Sequence, residues 1–549
     1  MVSNRDIARQ FSLFAELLLV HGEDEHLSHL LSGASYRVRN ASVEVASLTK
    51  KELKNFLRPE LVKLVEEMNN TGTIAVLDEL IQLTPPGLFE MMRIKGLGGK
   101  KLYALWHLAK IDDVEALLEA CKNNRLTIAG FGARTQQNIA AAIEALNESK
   151  NRYHYASVAS TAEELAHYLK KVAKTPLVSL CGDIRRKTLT VEGIEILTAI
   201  PSSRFAPLPL QKALLIKTAS KEVTRGYTLD EIPVTIYHTT KTGFFENLFR
   251  RTGVQAHVDK VMSRLSRNKK FSSEDSIYQA AGLPFIVPEL RENLAEWDFA
   301  KKRKELVSFE DIKGVVHNHT DWSDGVDDLQ SFITACRDKG YEYCVISDHS
   351  KNAHYAGGLK EKDVLKQFAA IDAFNKKMKP FKIFKSIECD ILVSGELDYS
   401  SDLLKQFDLV IISVHQQLKM DEQKATRRLV KAIENPYTTI LGHMTGRQLL
   451  IRPGYPVNFK KVIDACAAND VIIEINANPY RLDMDWTHIP YAMDKGVLIS
   501  VNPDAHSIGE IDNIRWGIEA ARKGGLTRDM TWNAMPLAKI QRWLSRHKK

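Results

Sequence analysis

Long apolar runs are missing from this 549-residue chain, and so is any paired-cysteine pattern. No stretch approaches the roughly 20 residues that a membrane-spanning helix needs, so no membrane partner is expected. The opening segment, MVSNRDIARQF, lacks the charged-then-apolar order of a secretion signal. The six cysteines (Cys121, Cys181, Cys336, Cys344, Cys389 and Cys466) include no Cys-x-x-Cys. That argues against a disulfide framework and against a cysteine zinc site, and a cytoplasmic address is expected. What remains is 44% hydrophobic and 26% charged, the balance of a globular protein, in a chain too long for one ordinary core. The net charge of +8 permits a nucleic-acid partner without requiring one.

From about residue 312 short apolar runs alternate with longer helical patterns, which predicts strand–helix units around a parallel sheet or barrel. The runs KGVVHNH, YCVISDH, FKSIECD, DLVIISVH, TTILGH, VIIEINAN and VLISVNPDAH nearly all end in a histidine or a carboxylate. In such barrels chemistry sits at the C-terminal ends of the strands. Those ends supply His317, His319, Asp324, His349, Glu388, His415, His443, Asp504 and His506. Imidazoles and carboxylates meeting at one mouth make a metal site, and their number exceeds the about four to six ligands that one ion uses. A multinuclear centre bridged by a carboxylate such as Glu388 is expected, and clustered ions suit phosphoryl chemistry. Asp348 is positioned to orient a ligand, and Arg447 and Arg481 follow strand ends where a substrate phosphate would lie.

HNHTDWSDG, SDHS, SVH and NPDAH, in that order, resemble the motifs of the polymerase-and-histidinol-phosphatase (PHP) family. The nine residues match that family's full ligand set. The resemblance implies a distorted barrel of seven strand–helix units, a centre of three divalent ions (manganese, zinc or iron) and phosphoesterase activity.

In the first half, IKGLGGKK and IAGFGARTQQNI share an apolar-x-Gly-apolar-Gly pattern leading into an amphipathic helix. Such turns present backbone N–H groups to a phosphate, the helix-hairpin-helix pattern of DNA binding. Gly96, Gly98, Lys100 and Lys101 form the first candidate contact, and Gly130, Gly132 and Arg134 the second. Further on, FFENLFRRTG and AGLPFIVPELREN resemble bacterial family X DNA polymerases, whose order of parts fits the whole chain. That resemblance implies a multidomain α and α/β protein: a helical helix-hairpin-helix domain (1–150), a nucleotidyltransferase-like palm and thumb-like region (151–300) and the PHP barrel (312–549). Basic residues Arg250, Arg251, Lys260, Arg264, Arg267, Lys269 and Lys270 could track a DNA backbone.

The palm pattern of that family then breaks. Gly182, Arg185 and Arg186 match, with the arginine pair a candidate DNA contact, but the serine position is Asp183. The three catalytic aspartate positions read Gly193, Glu195 and Thr235, and Val254 replaces a nucleotide-site serine. Carboxylates hold the two metal ions of a polymerase, so templated synthesis is expected to be lost. The expected function is metal-dependent cleavage of DNA 3′ ends in repair. The alternatives are a phosphatase of small phosphomonoesters, a weak repair polymerase and a catalytically silent DNA scaffold.

Overall fold

The computed structural model describes residues 2–39, 41, 43–94, 96–205, 209–210, 213–266, 269–302 and 304–547. Two compact units divide the chain, Met1–Lys150 and Asn151–Lys549. The regular elements of the first are helices. Its opening helix, Asn4–His21, begins where the Ser3 side chain accepts from the Asp6 N–H and ends at left-handed Gly22. Ile7, Phe11, Phe14 and Leu18 recur at helical spacing and are buried. Gly96 and Gly130 occupy left-handed turns at φ 95° and 86°, which glycine adopts without strain. Gly98 and Gly132 then cap the helices Gly99–Tyr103 and Ala133–Ser149. Gly99 serves packing: a Cβ there would fall 2.5 Å from the Leu19 Cβ.

The second unit starts with strands β1 (Tyr153–His154), β2 (Val178–Leu180), β3 (Thr190–Val191), β4 (Ile194–Thr198), β5 (Leu215–Ala219), β6 (Val223–Tyr227) and β7 (Pro233–His238). Five of them form a mixed sheet in the order β2-β4-β7-β6-β5, while β1 pairs with β3. β4 and β7 run parallel, with Glu195 directly opposite Thr235. The helix Tyr155–Val172 packs Val158, Ala162, Leu165 and Leu169 into one apolar cluster with Ile194, Ile196, Val234 and Ile236.

The short helices between 244 and 302 attach through charge as well as apolar contact. Arg185 and the fully buried Arg291 both pair with Glu274, the latter at 2.5 Å, and Arg186 pairs with Asp183 and Glu292. Lys523, from the last third of the chain, also reaches Glu292.

That last third carries β8 (Gly314–Asn318), β9 (Tyr343–Ile346), β10 (Lys382–Lys385), β11 (Glu388–Asp390), β12 (Ile411–Ser413), β13 (Ile440–Leu441), β14 (Ile472–Asn476) and β15 (Ile499–Asn502). Every neighbouring pair is parallel, in the orders β10-β9-β8 and β11-β12-β13-β14-β15. Bridges His349–Glu388 and Asn318–Ala505 join the two sheets into a ring. The apolar run around FKSIECD yields two strands, broken at Ser386 and Ile387, because one half pairs with β9 and the other with β12. Most strand residues are buried, as in sheets covered on both faces.

Burial pushes the Glu274 carboxyl up, but the Arg185 hydrogen bond and the Arg291 and Arg185 charges outweigh it and hold the group below its usual range. A carboxyl held down in the folded state stabilises it above the unfolded pKa, and that contribution is lost as pH falls through the folded value. Glu274→Gln strands the fully buried Arg291 and the half-buried Arg185 and is expected to cost about 3–5 kcal/mol in urea denaturation at neutral pH. The deficit should shrink as pH drops below the ordinary glutamate range; a deficit independent of pH would contradict the pairing.

Candidate metal centre

At the C-terminal ends of these strands the fold gathers nine side chains from distant parts of the sequence. Four overlapping groups have ligand atoms within 4.8 Å of one another: His319, Asp324, His349 and His506; His317, His443 and Asp504; His317, His319 and Glu388; His349, Glu388 and His415. Glu388 lies at the centre. Its Oε1 is 3.2 Å from His317 Nε2, 3.2 Å from His415 Nε2 and 3.0 Å from His443 Nε2, and its Oε2 is 3.0 Å from His349 Nδ1. His319 Nε2 lies 3.2 Å from Asp504 Oδ1, and His506 Nε2 lies 3.5 Å from Asp324 Oδ1. Two donors each about 2.1 Å from a shared ion sit roughly 3.0–3.5 Å apart, so these spacings fit ligands facing common cations.

The polar bookkeeping agrees. Both Glu388 oxygens, His317 Nε2, His349 Nδ1 and both ring nitrogens of His319 are buried without a hydrogen-bond partner. Buried polar atoms are rarely left so, and here they converge on one space. The charges interlock as well. Burial pulls His317 down, but Glu474, Glu388 and Asp504 hold it well above the usual imidazole range. Burial pulls His349 and His415 down too, yet Glu388 is foremost in lifting them to about 10 and about 9. His506, with Asp324 and Asp504 beside it, also overcomes burial and reaches about 9. His319 falls to about 3 through burial and the neighbouring His349. Burial opposes the charge on Glu388, but His415, His317 and His349 hold its carboxyl far below the usual range.

Two carboxylates that sequence reasoning passed over complete the arrangement. Glu474 Oε2 accepts from His317 Nδ1 at 2.6 Å, and its other oxygen accepts the His443 backbone N–H at 3.0 Å. Asp390 accepts from His415 Nδ1 at 2.5 Å. Each fixes an imidazole so that the opposite nitrogen faces inward. Both carry a signal in the sequence: an acid inside a buried apolar strand must have a partner, and Asp390 shares a strand face with Glu388.

The other candidate residues are placed as follows. Asp348 accepts from the Thr320 backbone and hydroxyl, Ser323 and Gln367, and so braces the loop that carries Asp324. Arg447 binds the Arg481 and Leu482 carbonyls and Asp485, an internal role. Arg481 lies at the mouth, its Nε 3.6 Å from Asp504 Oδ2. Arg185 and Arg186 are occupied by the ion pairs that hold 244–302 to the mixed sheet. Lys100 pairs with Glu25, Lys101 donates to the Gly96 carbonyl, and Arg134 is exposed. In the basic stretch, Arg250 pairs with Glu246, Arg251 stacks on Tyr237, Lys260 lies over Trp297, and Arg264, Lys269 and Lys270 are exposed; Arg267 is outside the described residues. Glu195 accepts from the Tyr237 hydroxyl at 3.0 Å and rests on the Gly182 turn, where a Cβ would come 1.7 Å from its Oε2. A Cβ on Gly193 would fall 2.5 Å from the Pro233 carbonyl. All six cysteines are buried and unpaired. No helix among the described residues is long and apolar enough to cross a membrane.

A helical unit, and an α/β unit that carries a buried cluster of histidines and acids, make the architecture of a multidomain enzyme. No protein-family model matches the chain. It is 30% identical over 508 residues to the DNA polymerase/3′-5′ exonuclease PolX of Bacillus subtilis, covering 88% of this chain and 89% of that one. A probable phosphatase of Thermoanaerobacter sp. (strain X514) is 26% identical over 221 residues, 38% of this chain and 85% of that protein. Another, from Caldanaerobacter subterraneus, is 24% identical over 227 residues. The chain belongs to the PolX family, and its C-terminal region is similar to PHP phosphatases.

Replacing Glu474 or Asp390 by alanine is expected to weaken divalent-metal binding about 10–100-fold while melting stays cooperative. Calorimetric titration with manganese checks this; unchanged affinity in both variants would contradict the orienting role.

Proposed function

We propose that this chain is a metal-dependent phosphodiesterase that removes nucleotides from DNA 3′ ends, acting in DNA repair. The observation that carries the reading is the convergence of nine ligand side chains on unpartnered buried atoms around Glu388. The relative's exonuclease name and the phosphatase relatives support the same chemistry. Residues 312–549 form the PHP barrel, 151–300 a palm and thumb-like region and 1–150 a domain with two helix-hairpin-helix turns. Three divalent ions (manganese, zinc or iron) suit four overlapping ligand groups; once bound, they supply an activated water and neutralise charge on the phosphate oxygens.

The chain's own residues do the rest. Glu388 bridges the groups, and Glu474 and Asp390 lock His317 and His415 in the tautomers that face inward. Asp348 fixes the loop of Asp324, and Arg481 meets the incoming phosphate. The glycine turns at Gly96 and Gly130, with Arg134, hold duplex phosphates.

The palm has lost polymerisation. Glycine and threonine at 193 and 235 offer no negative oxygen, and Glu195 is engaged by Tyr237 across the Gly182 turn. Restoring an aspartate at 193 would also meet the Pro233 carbonyl.

A DNA strand labelled at its 5′ end should shorten stepwise from the 3′ end with manganese, and His317→Ala should lower the rate at least about 100-fold. Primer extension with the same protein should be absent. Intact DNA with metal bound and rapid hydrolysis of p-nitrophenyl phosphate would favour the small-phosphatase reading; template-dependent extension would sink the loss of polymerisation.

A further inference from the structure

We infer that the palm positions the substrate-binding mouth of the barrel, with His154 as the positioning residue, so that the silent polymerase half is part of the hydrolytic site. This rests on the phosphoesterase reading above. His154 ends β1, and its Nε2–H donates to the Leu449 carbonyl at 3.0 Å. Its ring meets Tyr480 edge-on, with centroids 4.7 Å apart. The Leu449 N–H in turn donates to the Tyr480 carbonyl at 2.7 Å. One palm side chain thereby grips two loops that leave the ends of β13 and β14.

On the other side of Arg481, Leu482 is buried in the cluster formed by Tyr155, Val158 and Ile194, and Leu449 packs against the same cluster. Arg481 therefore lies between two palm anchors, with its Nε 3.6 Å from Asp504 Oδ2 and its side chain 20% exposed. Leu450 and Leu482 take left-handed backbone conformations, at φ 62° and 45°. Leucine holds such angles only where its surroundings impose them, and at Leu482 the palm cluster and the Arg447 bonds to the Arg481 and Leu482 carbonyls do so. Without the palm, the Arg447 bond to the Arg481 carbonyl and the Asp504 contact remain, but the loop loses its anchors at His154 and Leu482 on either side of Arg481. A phosphate arriving at the ligand cluster would then meet a guanidinium free to sample many positions.

The test is a double-mutant cycle in the full-length protein with manganese, read as steady-state kinetics on an oligonucleotide. His154→Ala should raise KM about fivefold or more, with kcat changed less than about twofold and bound metal and melting unaltered. Tyr480→Ala, at an exposed position, should do the same if His154→Ala folds poorly. His154→Gln, which keeps a donor within reach of the Leu449 carbonyl, should restore most of the loss. In an Arg481→Ala background, His154→Ala should add nothing. An unchanged KM in both single variants, or the same penalty with Arg481 removed, would overturn the proposal. If the wild-type protein leaves DNA intact but hydrolyses p-nitrophenyl phosphate, the nuclease reading has failed, and the same cycle on that ester still decides the role of His154.

Discussion

A carboxylate taken wholly out of water is tolerated only where opposite charge is brought to it, and the barrel is organised around one such group. Glu388 is 1% exposed, and both of its oxygens face imidazoles rather than solvent. The cost of stripping an ion of water runs to several kcal/mol, so the histidines at the ends of β8, β12 and β13 and beyond β9 are needed to keep it there. His317 and His415 need partners of their own, which Glu474 and Asp390 supply from β14 and β11. The parallel ring is what allows it: each strand ends on the same rim, so groups far apart in sequence meet within hydrogen-bond distance.

Electrostatics of the same kind orders the middle region. Glu195 is satisfied by a tyrosine hydroxyl and sits against a tight glycine turn. Arg185 and Arg186, on the helix Gly182–Arg186, face Glu274 and Glu292, which tie that helix to the segment 244–302. Lys523 and the loops around Leu449 and Leu482 carry the attachment onward to the barrel. Charge and apolar contact together thus tie the five-stranded sheet to the barrel.

How much of this was legible beforehand follows from how local each signal is. The ligand residues stand at the ends of apolar runs, so the strand pattern and the motif order expose them one at a time. The glycines at 96, 98, 130 and 132 mark their turns in the same local way. Partnerships across long separations leave no periodic trace: Arg185 meets Glu274 89 residues away, and Arg186 meets Glu292 106 residues away. Arg447 looks from sequence like a phosphate binder because it follows a strand end, yet it turns back onto carbonyls of the neighbouring loop, a choice made by loop geometry alone. Seven apolar runs become eight strands because a sheet break at Ser386 and Ile387 depends on which neighbour each half meets. Thr235 lies opposite Glu195 across β4 and β7, a register that no local pattern announces.

The central claim is that metal-supported chemistry has left the sheet and resides in the barrel. An anomalous-scattering map at the manganese edge, from crystals grown with that metal, tests it most directly. The account predicts peaks around Glu388, between His317, His349, His415 and Asp504, and none beside Glu195 and Thr235. A peak on the sheet, or a barrel mouth without metal at saturating manganese, would contradict it.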